Sequence, residues 1–394
     1  MPRSAPAEAV RYAAFAVTAP GLAELAAGEL VALGLPVVGR ETGGVAFEAD
    51  ARGLAVANLQ LRTASRVLVR LDEFRSATFH ELSRRAARID WPRWLAPGRA
   101  VRVRVTCRKS RLYHSGAVAE RLAAVLAPWA GAVTTAAGND DAGADEDDAQ
   151  LLVVRLLDDR CTISIDSSGA LLHQRGYRLA TARAPLRETL AAALVLASGW
   201  VPGTPLVDPF CGAGTIAIEA ARLARRMAPG RQRAFAFEQW PGIDPALPRH
   251  VRANARAMER ASAAPGIVAS DRDAGAIDAT RANAERAGVA ADLTLGVQAV
   301  SHLVAPAGGP PGAIVTNPPY GVRIAHGGDL RNLYARFGEV CRAQFPGWIL
   351  ALVVADRRLA HALRLPVRDV VRTANGGLPV TFAVGVIPGA TGAP

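Results

Sequence analysis

The stretch Leu206-Val207-Asp208-Pro209-Phe210-Cys211-Gly212-Ala213-Gly214-Thr215-Ile216-Ala217 reads as a short apolar strand that turns through glycines into a helix over 216–226. Glycine lets the backbone approach a ligand closely, and the N-terminal end of a helix favours negative charge. The spacing Gly212-x-Gly214-x-x-Ala217 satisfies a dinucleotide fingerprint. Two details turn away from a nicotinamide site. Asp208-Pro209 precedes the glycines, where a carboxylate can reach an ammonium group, and Asp271, the next acid to end an apolar strand, lies 59 residues after Gly212 rather than about 20. No Gly-Lys-Ser/Thr follows, which excludes a P-loop.

Working outward, short continuous apolar runs at 206–207, 266–269, 293–295, 313–315 and 348–354 alternate with helical stretches. Buried strands separated by helices predict a doubly wound α/β sheet. Asp271 ends the second of these strands and opens a helix over 274–287 with Gly288 as its cap. A carboxylate there can accept both hydroxyls of a ribose, or it can serve as a helix cap, a task Asp273 can also fill. The fourth strand runs into Thr316-Asn317-Pro318-Pro319-Tyr320-Gly321. Two prolines fix a polar side chain and an aromatic at the strand's end. The Asn317 side-chain oxygen and the Pro318 carbonyl can accept hydrogen bonds from an exocyclic amine, and Tyr320 can stack on a base.

The chain has 394 residues, 50% hydrophobic and 21% charged, which predicts two or three globular domains. Lys plus Arg total 46 against 35 acids, a net charge of +11 that points modestly to a polyanionic partner such as nucleic acid. Lys109 is the sole lysine in an Ala-rich chain, so the preference for Arg reflects codon composition rather than function. Cys107, Cys161, Cys211 and Cys341 are scattered without a metal-ligand spacing, so no metal site and no disulfide framework is expected, and a cytoplasmic location is. The most apolar run, 190–201, is too short to span a bilayer, and the N-terminus reads as a strand rather than a leader.

Ahead of the sheet, strands at 12–17, 44–48 and 66–71 enclose helices at 20–33 and 54–61, a small α+β unit over 8–65. A second unit over 66–168 holds a helix at 78–89, an alternating Arg/Val strand from Arg99 and a strand pair turning at Asp158 and Asp159. Alternation places Arg102 and Arg104 on one face, continued by Arg108, Lys109 and Arg111. That face is either an RNA-phosphate surface or an ordinary solvated one. The acidic segment 139–148 reads as a surface loop.

The two motifs together resemble the class I S-adenosylmethionine-dependent methyltransferases that modify exocyclic amines of nucleobases, whose mark is Asn/Asp-Pro-Pro-aromatic. From about Phe15 to the C-terminus the chain is similar to the THUMP-containing RNA methyltransferases of RlmL/YpsC type, which form N2-methylguanosine in 23S rRNA. The matching stretches include Thr18-Ala19-Pro20-Gly21-Leu22-Ala23-Glu24-Leu25, Gly43-Gly44-Val45-Ala46-Phe47, Asp166-Ser167-Ser168-Gly169, Leu172-His173-Gln174-Arg175-Gly176-Tyr177-Arg178 and residues 184–193, with Gly321-Val322-Arg323 after the tetrapeptide.

The resemblance implies a ferredoxin-like region, a THUMP RNA-binding domain and a Rossmann-like catalytic domain over 176–394. It implies S-adenosyl-L-methionine bound by Glu188, Asp208, Phe210, Cys211, Gly212, Gly214 and Asp271. Asn317, Pro318, Pro319 and Tyr320 would then orient a flipped guanine, with Cys211 a packing residue and His173 and Tyr177 parts of an inter-domain hinge. One departure stands out: where the family has an acid for the adenine amine, this chain reads Gly296-Val297-Gln298-Ala299-Val300, leaving Gln298 or a backbone carbonyl to substitute. The expected partner is 23S rRNA or a pre-ribosomal particle. A tRNA guanine-N2 methyltransferase and a non-catalytic RNA-binding protein that keeps the fold are the alternatives.

Overall fold

The computed structural model describes residues 10–136, 149–179, 186–320 and 330–389. The acidic segment 139–148, Ala184-Pro185, Gly321-Val322-Arg323 and His326 lie outside the described residues. The chain forms two compact units that do not follow chain order. One comprises the chain through Thr18, Ala26–Leu172 and Arg233–Ala253; the other takes Ala19–Leu25, His173–Gln232 and the chain from Asn254 onward.

In the first unit, β1 (Tyr12–Thr18), β2 (Val37–Glu41), β3 (Gly44–Ala49), β4 (Ala64–Arg75), β5 (Val101–Arg108), β6 (Val133–Ala136), β7 (Gln150–Leu157) and β8 (Arg160–Asp166) form one sheet in the order β2-β3-β1-β4-β8-β7-β5-β6. The helices α1 (Ala23–Ala32), α2 (Ala51–Gln60), α3 (Phe79–Ala86) and α4 (Ser115–Leu126) connect these strands. Local chemistry sets several ends: Asp50 accepts from the Gly53 amide at 2.6 Å, and Thr78 and Glu81 form a reciprocal capping box. The turn at Asp158 and Asp159 forms with both residues at positive φ. Strand β4 pairs with β1 on one side and β8 on the other, so the two N-terminal regions distinguished by pattern share a single sheet.

Two features of this unit depart from pattern. Arg102 and Arg104 are buried, not displayed: residues 101–104 of β5 are covered on both faces of the sheet. Alternation there does not divide core from solvent; the same face opens only at Thr106 and Arg108. Residues 233–253, which follow the strand–glycine–helix motif in sequence, belong to this first unit. The Trp240 indole donates to Gln150 Oε1 at 2.9 Å and sits edge-on to Trp94 at 5.0 Å, while Arg233 donates to the Leu171 and Ser168 carbonyls.

In the second unit, β9 (Leu206–Asp208), β10 (Ile267–Asp271), β11 (Leu293–Val297), β12 (Ala313–Thr316), β13 (Ile349–Val354), β14 (Arg368–Asn375) and β15 (Leu378–Val386) are ordered β11-β10-β9-β12-β13-β15-β14, with β15 antiparallel to both its neighbours. This is the expected doubly wound sheet, and the strand order reverses at β9. Helices α5 (Glu188–Ala197), α6 (Thr215–Ala224), α8 (Ala274–Ala287), α9 (Leu330–Gln344) and α10 (Arg357–Ala362) accompany it, while α7 (Leu247–Ala257) belongs to the first unit through Ala253. Two separate apolar cores result, one holding Leu190, Leu194, Ile216, Ile218 and Ile277, the other Tyr334, Phe337, Phe345 and Leu359. Gly288 ends α8 in the left-handed conformation, as its position implied.

Beneath α6 lies a buried charge cluster. Glu219 receives the Tyr177 hydroxyl at 3.0 Å and pairs with Arg175 at 3.1 Å, and Arg222 donates to the Ala228 and Pro229 carbonyls. Tyr177 is fully buried in this core, and burial beside Glu219 pushes its phenol up. Removing Glu219 strands two buried guanidinium groups. Glu219→Ala is therefore expected to cost about 3–5 kcal/mol, against about 1 kcal/mol for Tyr177→Phe, both read from urea denaturation midpoints at constant m-value.

Candidate active site

Parallel strands all present their C-terminal ends on one side, and ligands of such sheets bind where the strand order reverses. Here that point lies between β9 and its neighbours β10 and β12, and the residues singled out from sequence gather there. Asp208 ends β9, Asp271 ends β10, and Asn317 follows β12 directly.

The loop after β9 is built from both sides. Gly212 and Gly214 adopt positive φ of 53° and 83°, which glycine tolerates freely. A Cβ on Gly214 would lie 2.6 Å from the Thr280 methyl, so the turn has no room for a larger residue. Thr280 and Asn283 of α8 donate to the Gly212 and Ala213 carbonyls at 2.8 and 3.0 Å, and the Gly212 amide donates to Asp271 Oδ2 at 3.1 Å. Asp271 Oδ1 accepts from the Asp273 amide, and Asp273 itself caps α8. Both roles weighed for Asp271 thus divide: capping falls to Asp273, and Asp271 faces the glycine loop. Phe210 packs edge-on against Phe337 of α9 at 5.3 Å. Cys211 is buried, and burial pushes its thiol up, away from nucleophilic character.

Three acceptor atoms among the residues singled out from sequence are buried without a hydrogen-bond partner: Asp208 Oδ2 and Asn317 Oδ1 at the strand ends, and Glu188 Oε2 at the start of α5. A buried acceptor left unpaired is costly, so such atoms mark where a donor belongs. Two carboxylate oxygens fit the ammonium of an amino-acid moiety, and the amide oxygen fits an amine N–H. The donor set therefore fits S-adenosylmethionine with an amine substrate beside it.

Glu188 begins α5, is 3% exposed and pairs with Arg178 at 3.3 Å. Burial raises its carboxyl, and Arg178 opposes that rise. Asp208 is 1% exposed; its Oδ1 accepts the Thr316 hydroxyl at 2.7 Å and the Phe210 amide at 3.4 Å. Burial lifts its pKa to about 7 despite those bonds, with the nearby Asp271 adding to the rise. Thr316 precedes Asn317, so one hydrogen bond joins the carboxylate of β9 to the tetrapeptide of β12.

Sequence reasoning missed three supports. Thr316 joins Asp208 to the tetrapeptide, Tyr334 of α9 donates its hydroxyl to the Pro319 carbonyl at 3.3 Å, and Asn375 donates to the Tyr320 hydroxyl at 3.2 Å. Only Thr316 had a sequence signal, its adjacency to Asn317. In the segment that lacks the expected acid, the Gln298 backbone N–H donates to the Asp271 carbonyl at 2.9 Å, and Ala299 is exposed. In the first unit Arg108, Lys109 and Arg111 are exposed, with Arg111 3.9 Å from Asp159. They are joined by Tyr113, 80% exposed.

Residues 175–383 match the family profile described as RMKL-like, methyltransferase domain, a span of more than half the chain. The chain belongs to this methyltransferase family. Residues 13–68 match a second profile, the RlmL ferredoxin-like domain. A Synechocystis protein named as a candidate RNA methyltransferase is 32% identical over 97% of this chain and 98% of its own. Among solved structures, a methyltransferase candidate designated SMU.472, complexed with S-adenosylhomocysteine, is 27% identical with a TM-score of 0.83, over 98% of this chain and all of that one. A Listeria monocytogenes protein named for N6-adenine-specific DNA methylation is 30% identical with a TM-score of 0.79, over 95% of this chain and 96% of that one.

With Asp208 taken as the acceptor of the cofactor's ammonium, its raised pKa predicts pH-sensitive binding. Below pH about 7 the carboxyl is protonated and no longer attracts an ammonium. Cofactor affinity is expected to fall by up to about tenfold per pH unit below that point, with close to one proton released on binding near pH 6. Asp208→Asn should bind weakly and flatten the profile; calorimetry in buffers of different ionisation enthalpy measures both. In the free protein the sign is the reverse: the native state holds the proton that the unfolded chain loses at 3.8, so stability declines as pH rises from there toward 7.

Proposed function

We propose that this protein methylates an exocyclic amine of a nucleobase in RNA, with guanine N2 of 23S rRNA as the target. The observation that carries the reading is the orphaned Asn317 Oδ1, one residue after Thr316, whose hydroxyl is bonded to the carboxylate that carries the orphaned Asp208 Oδ2, an acceptor for an amine substrate next to one for a cationic donor. Membership of a methyltransferase family that carries the RlmL ferredoxin-like domain, and a relative named for RNA, support RNA as the polymer.

S-adenosylmethionine, when bound, supplies an electrophilic sulfonium methyl. Asp208 and Glu188 would receive its ammonium, Gly212 and Gly214 would leave room for it beside the backbone, and Asp271 would accept from the ribose hydroxyls. Asn317 Oδ1 and the Pro318 carbonyl each accept one N–H of the target amine, which aims the nitrogen's remaining electron density at the methyl. An aromatic amine is a weak nucleophile, so this orientation is the main catalytic need, and no strong base is required before transfer. Tyr320 stacks on the extruded base. Once the nitrogen bears the methyl group it carries a positive charge, and it releases one proton to water, with Asn317 Oδ1 holding the remaining N–H.

In the first unit, the stretch read from sequence as the second domain serves as the THUMP-type RNA-binding part. Its RNA-facing set is Arg108, Lys109, Arg111 and Tyr113, with three charges for phosphate and an exposed ring for stacking. The buried Arg102 and Arg104 support the strand instead.

Unmodified 23S rRNA, tRNA and DNA, each incubated with labelled S-adenosylmethionine, test the reading. N2-methylguanosine in 23S rRNA is expected, falling at least about a hundredfold in Asn317→Ala while cofactor binding holds. Label in tRNA would move the substrate, N6-methyladenine in DNA would overturn the polymer, and cofactor binding without transfer to any pool would favour a binding protein. Replacing Arg108, Lys109 and Arg111 by Ala is expected to weaken RNA binding and reduce the slope of log affinity against log salt by about two to three; an unchanged slope would return these residues to plain solvated surface.

A further inference from the structure

We infer that Asn375, at the turn between β14 and β15, is a positioning residue for the target base, its side-chain amide clamping the Tyr320 hydroxyl so that the ring is held at one angle. The inference rests on the reading of Asn317–Tyr320 as the base-amine site.

The geometry begins with the turn. Asn375 and Leu378 are register partners, so the hairpin closes through Gly376 and Gly377 alone, both at positive φ, 57° and 83°. A two-residue turn of this kind matches the twist of the paired strands and leaves little freedom to the residues flanking it. Open space surrounds both glycines, so backbone conformation rather than crowding demands them. Asn375 is thereby delivered, half-buried, at a fixed point of the sheet edge, and its Nδ2 donates to the Tyr320 oxygen at 3.2 Å.

Tyr320 needs such a hold. The prolines before it fix the backbone, and Tyr334 holds the Pro319 carbonyl, but neither restrains the two side-chain torsions of the tyrosine. Its ring is half-buried and packs against the margins of both apolar cores of the second unit. Among the described residues the hydroxyl's partner is Asn375, so one end of the ring is set by the tetrapeptide and the other by the hairpin. Because Asn375 is the donor, the phenolic proton stays uncommitted to it. Burial pushes the phenol up, and the Asn375 bond draws it back.

The test is a double-mutant cycle of Asn375→Ala and Tyr320→Phe with two readouts. The first is methyl transfer to unmodified 23S rRNA; the second is quenching of 2-aminopurine, placed at the target position of a short RNA, by stacking on the protein. Asn375→Ala is expected to lower kcat and the Tyr320-dependent quenching each by about three- to tenfold, with cofactor affinity within about twofold of wild type. In the Tyr320→Phe background the same replacement is expected to change neither, because the hydroxyl through which it acts is gone. Asn375→Asp, which can accept from the phenol instead, should restore most of the loss and serves if the Ala variant folds poorly. Multiplying effects in the double variant, or a wild-type Asn375→Ala, would overturn the inference while leaving the base site standing. Absence of both transfer and Tyr320-dependent quenching in the wild type would overturn the base-site reading and this inference with it.

Discussion

Taking a carboxylate out of water at the end of a central strand is costly, and the second unit is organised around one such group. Asp208 ends β9, where the strand order reverses, and is almost wholly buried. Its Oδ1 is satisfied by Thr316 and the Phe210 amide, while Oδ2 has no protein partner. An unpaired buried acceptor is costly, and a ligand that donates to it would offset that cost. The Thr316 bond makes the cost serve a second purpose, because it ties the strand that carries the carboxylate to the strand that ends in Asn317. The two strand ends are thus referenced to one another through a single 2.7 Å contact.

The remaining supports extend the same logic. α8 holds the glycine loop from one side through Thr280 and Asn283, Phe337 of α9 holds Phe210 from the other, and Arg178 faces Glu188. Beneath α6 the Glu219 cluster replaces water with Tyr177 and two arginines. Buried ion pairs of this kind contribute little net stability but fix geometry, since any partial arrangement leaves a charge uncompensated. The helix that starts at the glycine loop is therefore anchored along its length, not only at its cap.

The first unit shows how an interior strand can mislead. An Arg/Val alternation reads as one face for water and one for the core, and on an outer strand with an open face that division holds. On β5, flanked by β7 and β6, both faces are covered over 101–104 and the two arginines are engaged within the fold. The charges that reach solvent come from the strand's end and the following turn, Arg108, Lys109 and Arg111.

The amino-acid sequence by itself determined the doubly wound sheet, the strand–glycine–helix turn and the tetrapeptide, because each is a local matter: glycine at positive φ, proline's locked φ, a carboxylate next to its strand end, a run of apolar residues at strand length. Gly288, Asp273 and the turn at Asp158 and Asp159 were legible for the same reason. What only the tertiary structure decided involves pairs distant in sequence. Asn375 meets Tyr320 from 55 residues away and Thr316 meets Asp208 from 108. Residues 233–253 leave the unit that surrounds them in sequence as the Trp240 indole finds its acceptor in Gln150, 90 residues earlier, and no local propensity encodes that choice. Burial of Arg102 and Arg104 was hidden likewise: side-chain direction follows from the period of a strand, but what lies opposite depends on which strands close around it.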